Sequence, residues 1–354
     1  MTSARGALRR PALSRSSLAT LALVAPLASL FHASALPAVA QQVLALSGDV
    51  APVHDPTAIA AGGAFYVFST GGRPGQGVIP IRTSTDLRAW KPAGFVFSTL
   101  PEWATREIPQ ARNAWAPDIS FRDGKYWLYY SVSSFGSRNS AIGLATNRTL
   151  DPASPDYRWA DEGMVLRSRQ ESDDWNAIDP NVVIEDERNV WLSWGSFWGG
   201  IKLRRLDPAT GKPSSADGVL HTLASRPRVP PIDGSVEAPT IVRRGEWWYL
   251  FVSFDRCCRG AESSYNVVVG RSRSVTGPYL DRDGKPMTEG GGSLVIGATT
   301  PTWRGPGHQS VLRVGERDYL VFHAYYGAGL GRGSALQIST MTWEDGWPKV
   351  GTLP

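Results

Sequence analysis

Asp55 and Asp179 each stand directly before a proline, and Glu237 stands two residues before one. Carboxylates in differing environments can divide acid–base work between them. Breaking a glycosidic bond needs one carboxylic acid to protonate the leaving oxygen and a second carboxylate to activate water or attack the sugar. A third carboxylate close to the acid would raise its pKa by like-charge repulsion. Glu237 suits the acid, because its longer arm can reach a leaving group. Taken singly, each residue reads as a turn-former, since Asp-Pro is an ordinary turn signal. A shared repeat position, with His54 and tryptophans alongside, turns the three into a candidate site.

The repeat has five copies: His54-Asp55-Pro56-Thr57, Ala116-Pro117-Asp118-Ile119, Ile178-Asp179-Pro180-Asn181, Glu237-Ala238-Pro239-Thr240 and Gly305-Pro306-Gly307-His308. The prolines lie 61, 63, 59 and 67 residues apart. About ten residues after each comes an aromatic, β-rich run, such as Phe65-Tyr66-Val67-Phe68 or Tyr126-Trp127-Leu128-Tyr129-Tyr130. A third run follows in every unit, and a weaker fourth closes most of them (Met164 to Leu166, Leu294 to Ile296). Four strands in each of five units predict an all-β, five-bladed β-propeller. Equivalent loops of successive blades would then gather the acids around one point. Long amphipathic helical patterns are absent after the N-terminus, which argues against α/β folds.

Residues 1–40 carry four arginines and no acid, an apolar run from about Leu18, and Ala38-Val39-Ala40 before Gln41. That is the pattern of a cleaved secretory signal peptide. A membrane anchor fits less well, because Pro26 and His32 interrupt the run. The expected mature chain is residues 41–354, one domain, secreted to the periplasm or outside the cell. Losing four arginines takes the formal charge from +5 to about +1, so a nucleic-acid partner is not expected. No other segment is long and apolar enough to span a bilayer. A monomer is expected.

The two cysteines, Cys257 and Cys258, are adjacent. A bridge between neighbours is strained but open to a chain in an oxidising compartment; the alternative is two packed thiols. Neither arrangement staples distant segments, and no spacing suggests structural zinc. Fourteen tryptophans exceed what the core needs, although most are expected to fill the spaces between blades. Trp115, Trp198 and Phe135 sit in loop-like contexts at the motif-bearing end. Aromatic faces there suit the flat C–H faces of sugar rings.

The ordered series His54-Asp55-Pro56, Trp115-Ala116-Pro117-Asp118, Asn176 to Asn181, Gly195-Ser196-Phe197-Trp198, Glu237-Ala238-Pro239 and Gly305 to His308 resembles glycoside hydrolase family 43. Phe254 to Gly260 and Val269-Gly270-Arg271-Ser272 are similar to its endo-α-1,5-L-arabinanase branch. The resemblance covers nearly the whole mature chain. It implies inverting hydrolysis of arabinan or arabino-oligosaccharides, with Asp55 as general base, Glu237 as general acid, and Asp179 tuning and orienting the acid. It further implies that His54 lines the pocket of the sugar being cleaved, that Trp115 and Phe135 are stacking platforms, and that Ser196 and Trp198 contact substrate. Asn181 would hold a sugar hydroxyl or cap a turn. His308 matches a position that faces a metal ion, usually a calcium held mostly by water, on the propeller axis; no organic cofactor is implied. By residue type alone a single histidine is a poor calcium ligand, and a hydrogen-bonded core histidine is the alternative. Asp118 follows its proline instead of preceding it and reads as support for the site. The rivals are an exo-acting arabinanase, an α-L-arabinofuranosidase or a β-xylosidase of the same family. A sugar-binding propeller without catalysis would have no need of all three acids.

Overall fold

The computed structural model describes residues 41–73, 75–297, 300–331 and 333–354. The expected leader, residues 1–40, lies outside the described residues. The aromatic runs are strands whose successive side chains face opposite ways, so an unbroken apolar run demands burial on both faces. Lys125–Ser133 shows how this is met. Leu128 and Tyr130 pack with Phe68 and Ile79 of the preceding unit, while Trp127 and Tyr129 pack with Val182 and Leu192 of the following one.

Every unit is built on an antiparallel four-stranded meander; the first sheet gains two two-residue strands, Gly72–Arg73 (antiparallel) and Ser47–Gly48 (parallel). Blade 1 comprises Thr57–Ala61, Ala64–Phe68, Gly77–Ser84 and Ala89–Phe97; blade 2, Trp115–Arg122, Lys125–Ser133, Ser140–Asn147 and Ala160–Ser168. Blade 3 comprises Asn181–Ile184, Val190–Trp194, Ile201–Leu206 and His221–Ala224; blade 4, Val236–Arg244, Trp247–Phe254, Asn266–Ser272 and Ser293–Gly297. Blade 5 comprises Trp303–Val314, Arg317–Tyr326, Ser334–Glu344 and Trp347–Val350. The first strands touch in sequence, and that of blade 5 touches that of blade 1, which closes a five-bladed propeller. The expected strand runs all fall within these elements. One short helix, Glu102–Glu107, lies between blades 1 and 2.

The core is five apolar clusters, one between each pair of neighbouring blades. Trp90, Trp127 and Trp194 are fully buried in them, as expected of most tryptophans. Ring closure uses the segment before blade 1. Leu44 N–H donates to Ile338 O (2.8 Å) on blade 5, and Ser47–Gly48 pairs with Ala89–Trp90 on blade 1. One stretch of chain thus occupies the exposed edges of the last and first blades, where unpaired backbone groups would otherwise remain.

The proline motif has a backbone meaning. In all five copies the residue before proline has positive φ: Asp55 50°, Ala116 44°, Asp179 58°, Ala238 55° and Gly305 49°. Four of these are not glycine, and each costs on the order of 1–2 kcal/mol in that region. Strand pairing slips there in blades 2, 4 and 5, while in blades 1 and 3 the ladder begins only after the proline. The motifs are therefore bends at the axis end of each blade; in blade 5, where the residue before proline is a glycine, His308 (φ 47°) is the side chain re-aimed.

Candidate active site

The bends decide which side chains enter the site. Asp55 and Asp179 occupy the left-handed position itself, whereas Glu237 precedes it by one. The sequence reading put the three acids on one shared repeat position; the structure corrects this, with Asp55 and Asp179 equivalent and Glu237 offset by one residue. They still line one cavity of about 560 Å³ at the axis end. His54, Trp115, Phe135, Ser196, Trp198 and His308 line it too. Phe135, on the loop after Ser133, is 82% exposed and free to meet a ligand.

The inter-blade hydrogen bonds explain how the bends are held. Each of these backbone N–H groups is accepted by a side chain of the preceding blade. Asp55 N–H donates to His323 Nδ1 (3.1 Å), Ala116 N–H to Thr70 Oγ1 (2.7 Å), and Asp179 N–H to Ser131 Oγ (2.9 Å). Ala238 N–H donates to Asp179 Oδ2 (3.1 Å), and His308 N–H to Ser253 Oγ (2.9 Å). Thr70, Ser131 and Ser253 each stand 14 residues after a motif proline. That periodicity is legible in the sequence, and no expectation above rests on it.

Asn181 does not enter the cavity, contrary to the sugar-contact expectation. It is buried, accepts Ile241 N–H through Oδ1 (2.9 Å), and donates through Nδ2 to Asp118 Oδ1 (3.2 Å). Asp118 also accepts Val182 N–H (2.8 Å). These residues directly follow their prolines, past the bend, so they point between blades. Together they tie blade 2 to blade 3 and blade 3 to blade 4. Burial pushes Asp118 up to about 7, against the hydrogen bonds from Val182 and Asn181 and the charge of His308.

The three site acids sit in unlike surroundings. Asp55 Oδ2 accepts from Thr70 Oγ1 (2.5 Å) and lies 2.8 Å from His54 Nδ1; Oδ1 lies 3.0 Å from His308 Nδ1. Burial alone would raise its pKa, but His308 and His54 outweigh that and hold the carboxyl well below the usual range. Asp179 is pushed up to about 8, first by burial and then by the charges of Glu237 and Asp55, with His308 opposing. The surroundings thus favour the charged form of Asp55 and the protonated form of Asp179. Glu237 accepts hydrogen bonds from Ser196 Oγ (2.6 Å) and Tyr265 OH (2.7 Å). Tyr265 is locked in place by Gly307, where any Cβ would come within 2.0 Å of its ring.

Cys257 and Cys258 form a disulfide, and both line the cavity wall with Arg256 and Arg259. Tyr265, which meets Glu237, and Tyr325, which meets His54, carry no sequence signature of a site. They reach it from the ends of strands far away in sequence.

Calcium prefers six to eight oxygen ligands, and the protein does not build such a cage. The closest ligating cluster among the described residues is His54, Asp55 and His323, two imidazoles and one carboxylate. At His308, Nδ1 faces Asp55, and Nε2 has no hydrogen-bond partner among the described residues. The donor set fits only an ion that draws most of its ligands from water. Without one, the His308 imidazole is raised to about 9, because Asp55, Asp179 and Glu237 overcome the effect of burial.

The family model of glycosyl hydrolases family 43 matches residues 50–348. The chain is 44% identical over 315 residues to an extracellular exo-α-(1→5)-L-arabinofuranosidase of Cellvibrio japonicus, covering 87% of this chain and 88% of that one. It is 43% identical over 297 residues to an extracellular endo-α-(1→5)-L-arabinanase of Bacillus subtilis, covering 84% and 87%. The solved α-L-arabinanase of Cellvibrio cellulosa in complex with arabinohexaose superposes with a TM-score of 0.79 at 44% identity, over 85% of this chain and 96% of that one. The match spans all five blades and every bend that carries a site acid, and this chain belongs to glycosyl hydrolases family 43.

Proposed function

We propose that this protein hydrolyses α-1,5-linked L-arabinan and arabino-oligosaccharides at internal bonds, with inversion at the anomeric carbon. Asp55 takes a proton from the attacking water. As the glycosidic C–O bond breaks, Glu237 gives its proton to the leaving oxygen. Asp179 tunes and orients Glu237. Trp115, Phe135 and Trp198 stack on sugar rings, and His54 and Ser196 bind hydroxyls. The observation that carries this reading is geometric: Asp55, Asp179 and Glu237 line one cavity with the aromatic side chains, Asp55 between His54 (2.8 Å) and His308 (3.0 Å), and Glu237 against the hydroxyls of Ser196 and Tyr265. Two carboxyl groups in such unlike surroundings are what the two halves of the reaction require.

The arabinan substrate is supported by the names of both relatives and by the arabinohexaose complex. The extracellular names support export with loss of residues 1–40, and no helix among the described residues is long and apolar enough to cross a membrane. We further propose that the enzyme acts as a monomer. If a calcium ion binds, His308 would hold it through Nε2, and it would supply positive charge near Asp55. Thermal melts in calcium and in chelator test this; identical curves, with no calcium found by elemental analysis, would remove the ion.

Product sizing over time on linear α-1,5-arabinan tests the cleavage mode. A ladder of mid-sized oligosaccharides appearing early supports internal cleavage. A single short product from the start would replace it with the exo mode, which the name of the Cellvibrio japonicus relative favours. Proton NMR of the first-formed anomer tests inversion, and retention would overturn the roles given to Asp55 and Glu237.

A further inference from the structure

His54, His323 and Tyr325 join the two ends of Asp55 in a closed circuit. Asp55 N–H donates to His323 Nδ1 (3.1 Å), so that nitrogen carries a lone pair and the proton of His323 lies on Nε2. Its Nδ1 is 3.7 Å from Asp55 Oδ1, too far for a competing hydrogen bond. His323 is fully buried, and burial favours its neutral form. His323 Nε2–H then donates to Tyr325 OH (3.1 Å), and the backbone N–H of Cys258 donates to the same oxygen (2.9 Å).

A tyrosine hydroxyl has two lone pairs and one proton. Both lone pairs of Tyr325 are now occupied, so its proton must be given away. Two acceptors are in reach: His54 Nε2 at 2.6 Å and Cys258 Sγ at 3.8 Å. The distances, and the weakness of sulfur as an acceptor, choose His54. His54 Nε2 is therefore the acceptor, and its proton resides on Nδ1, 2.8 Å from Asp55 Oδ2. An Nε2 proton on His54 would meet a hydroxyl with no lone pair left. The same three side chains that lie close enough for a metal site are thus accounted for by hydrogen bonds at every ring nitrogen.

We propose that Tyr325 and His323, with the backbone N–H of Cys258, are positioning residues that fix His54 as its Nδ1–H tautomer, so that it donates to the carboxylate of Asp55. The circuit is mechanically braced. The His54 and His323 rings stack at 4.0 Å between centroids. Cys258 adopts φ 66° and is covalently joined to Cys257, which sets the direction of its N–H. The consequence for reaction is that one Asp55 oxygen is held by His54 and Thr70 and the other faces His308, so the carboxylate cannot rotate while water attacks. This consequence rests on Asp55 being the base; the tautomer itself does not.

The chain has five histidines, so ¹⁵N-histidine labelling and long-range ¹⁵N–¹H correlation can read the tautomer directly, with His54→Gln used to assign its signals. The expected result is an Nδ1–H pattern for His54 in the ligand-free wild-type enzyme at neutral pH. In Tyr325→Phe the pattern should mix or invert, and kcat should fall about tenfold with KM within about twofold, the scale of one lost hydrogen bond. An Nε2–H or doubly protonated His54 in the wild type overturns the proposal. So does a folded Tyr325→Phe that keeps both the Nδ1–H pattern and full kcat. If that variant does not fold, the wild-type spectrum alone decides. Asp55→Asn assayed in parallel separates the two readings, since undiminished hydrolysis would sink the base assignment and leave the tautomer result standing.

Discussion

Thr70→Val is the sharpest single probe of how the base is held. The change keeps shape and volume and removes one hydroxyl that does two jobs. Thr70 Oγ1 donates to Asp55 Oδ2 (2.5 Å) and accepts Ala116 N–H (2.7 Å). A hydrogen bond to a charged acceptor contributes about 1.5–3 kcal/mol. If that interaction serves to hold the carboxylate on line with water, its full loss lowers kcat/KM by about 10- to 150-fold. The sign with pH follows from the proposed role. As the proposed base Asp55 works ionised, and removing a donor that favours the ionised form raises its proton affinity, so the acid limb of the pH–rate profile moves to higher pH. The stranded Ala116 N–H adds a separate stability cost of about 1–3 kcal/mol. Thr70→Ser keeps the hydroxyl and should restore rate and pH profile. The assay is initial rates on linear arabinan from pH 4 to 8, with thermal melts of all three proteins. A Thr70→Val enzyme that melts lower yet retains wild-type rate and an unmoved acid limb would refute the reasoning, because only the fold, and not the base, would then use the hydroxyl.

Asp118→Asn tests the buried ionisation between blades. The folded pKa, about 7, lies above the ordinary value of 3.8, so the folded state holds an extra proton and stability falls as pH rises from about 4 to about 7. The penalty reaches at most on the order of 4 kcal/mol; the variant should lose less stability than wild type between pH 5 and pH 8 in denaturant titrations, and an unchanged difference would contradict the assignment. Asn181→Ala leaves Ile241 N–H and one Asp118 oxygen without partners and should cost about 2–4 kcal/mol, with kcat per folded molecule near wild type; a lost sugar contact would instead raise KM without that destabilisation. Gly307→Ala forces the Tyr265 ring away from Glu237; kcat should drop at least about tenfold, and a fully active Gly307→Ala would show that the Tyr265 hydrogen bond is dispensable.

The sequence by itself determined the architecture, because the architecture is periodic. Five prolines at near-equal spacing and five aromatic runs impose strands buried on both faces, and stacked sheets that must close on themselves. It also pointed to the acids that approach the axis, since a repeated bend re-aims the residues just before the proline. What a period cannot carry is the offset at each bend. Asp55, Asp179 and Glu237 read as equivalent in one dimension, but a one-residue difference around the left-handed position gives them different partners. Asn181 looks like a site residue by its neighbours in sequence, and the bend turns it between the blades.

Only the tertiary structure brought together Asp55, Thr70, His308, His323 and Tyr325, which come from blades 1 and 5 and from opposite ends of the chain. The same closure decides the chemistry. Burial raises the proton affinity of Asp55 and of Asp179, and Asp55 overcomes it because two imidazoles lie within about 3 Å. Proton affinity is set by distance through space, and sequence separation holds no record of it.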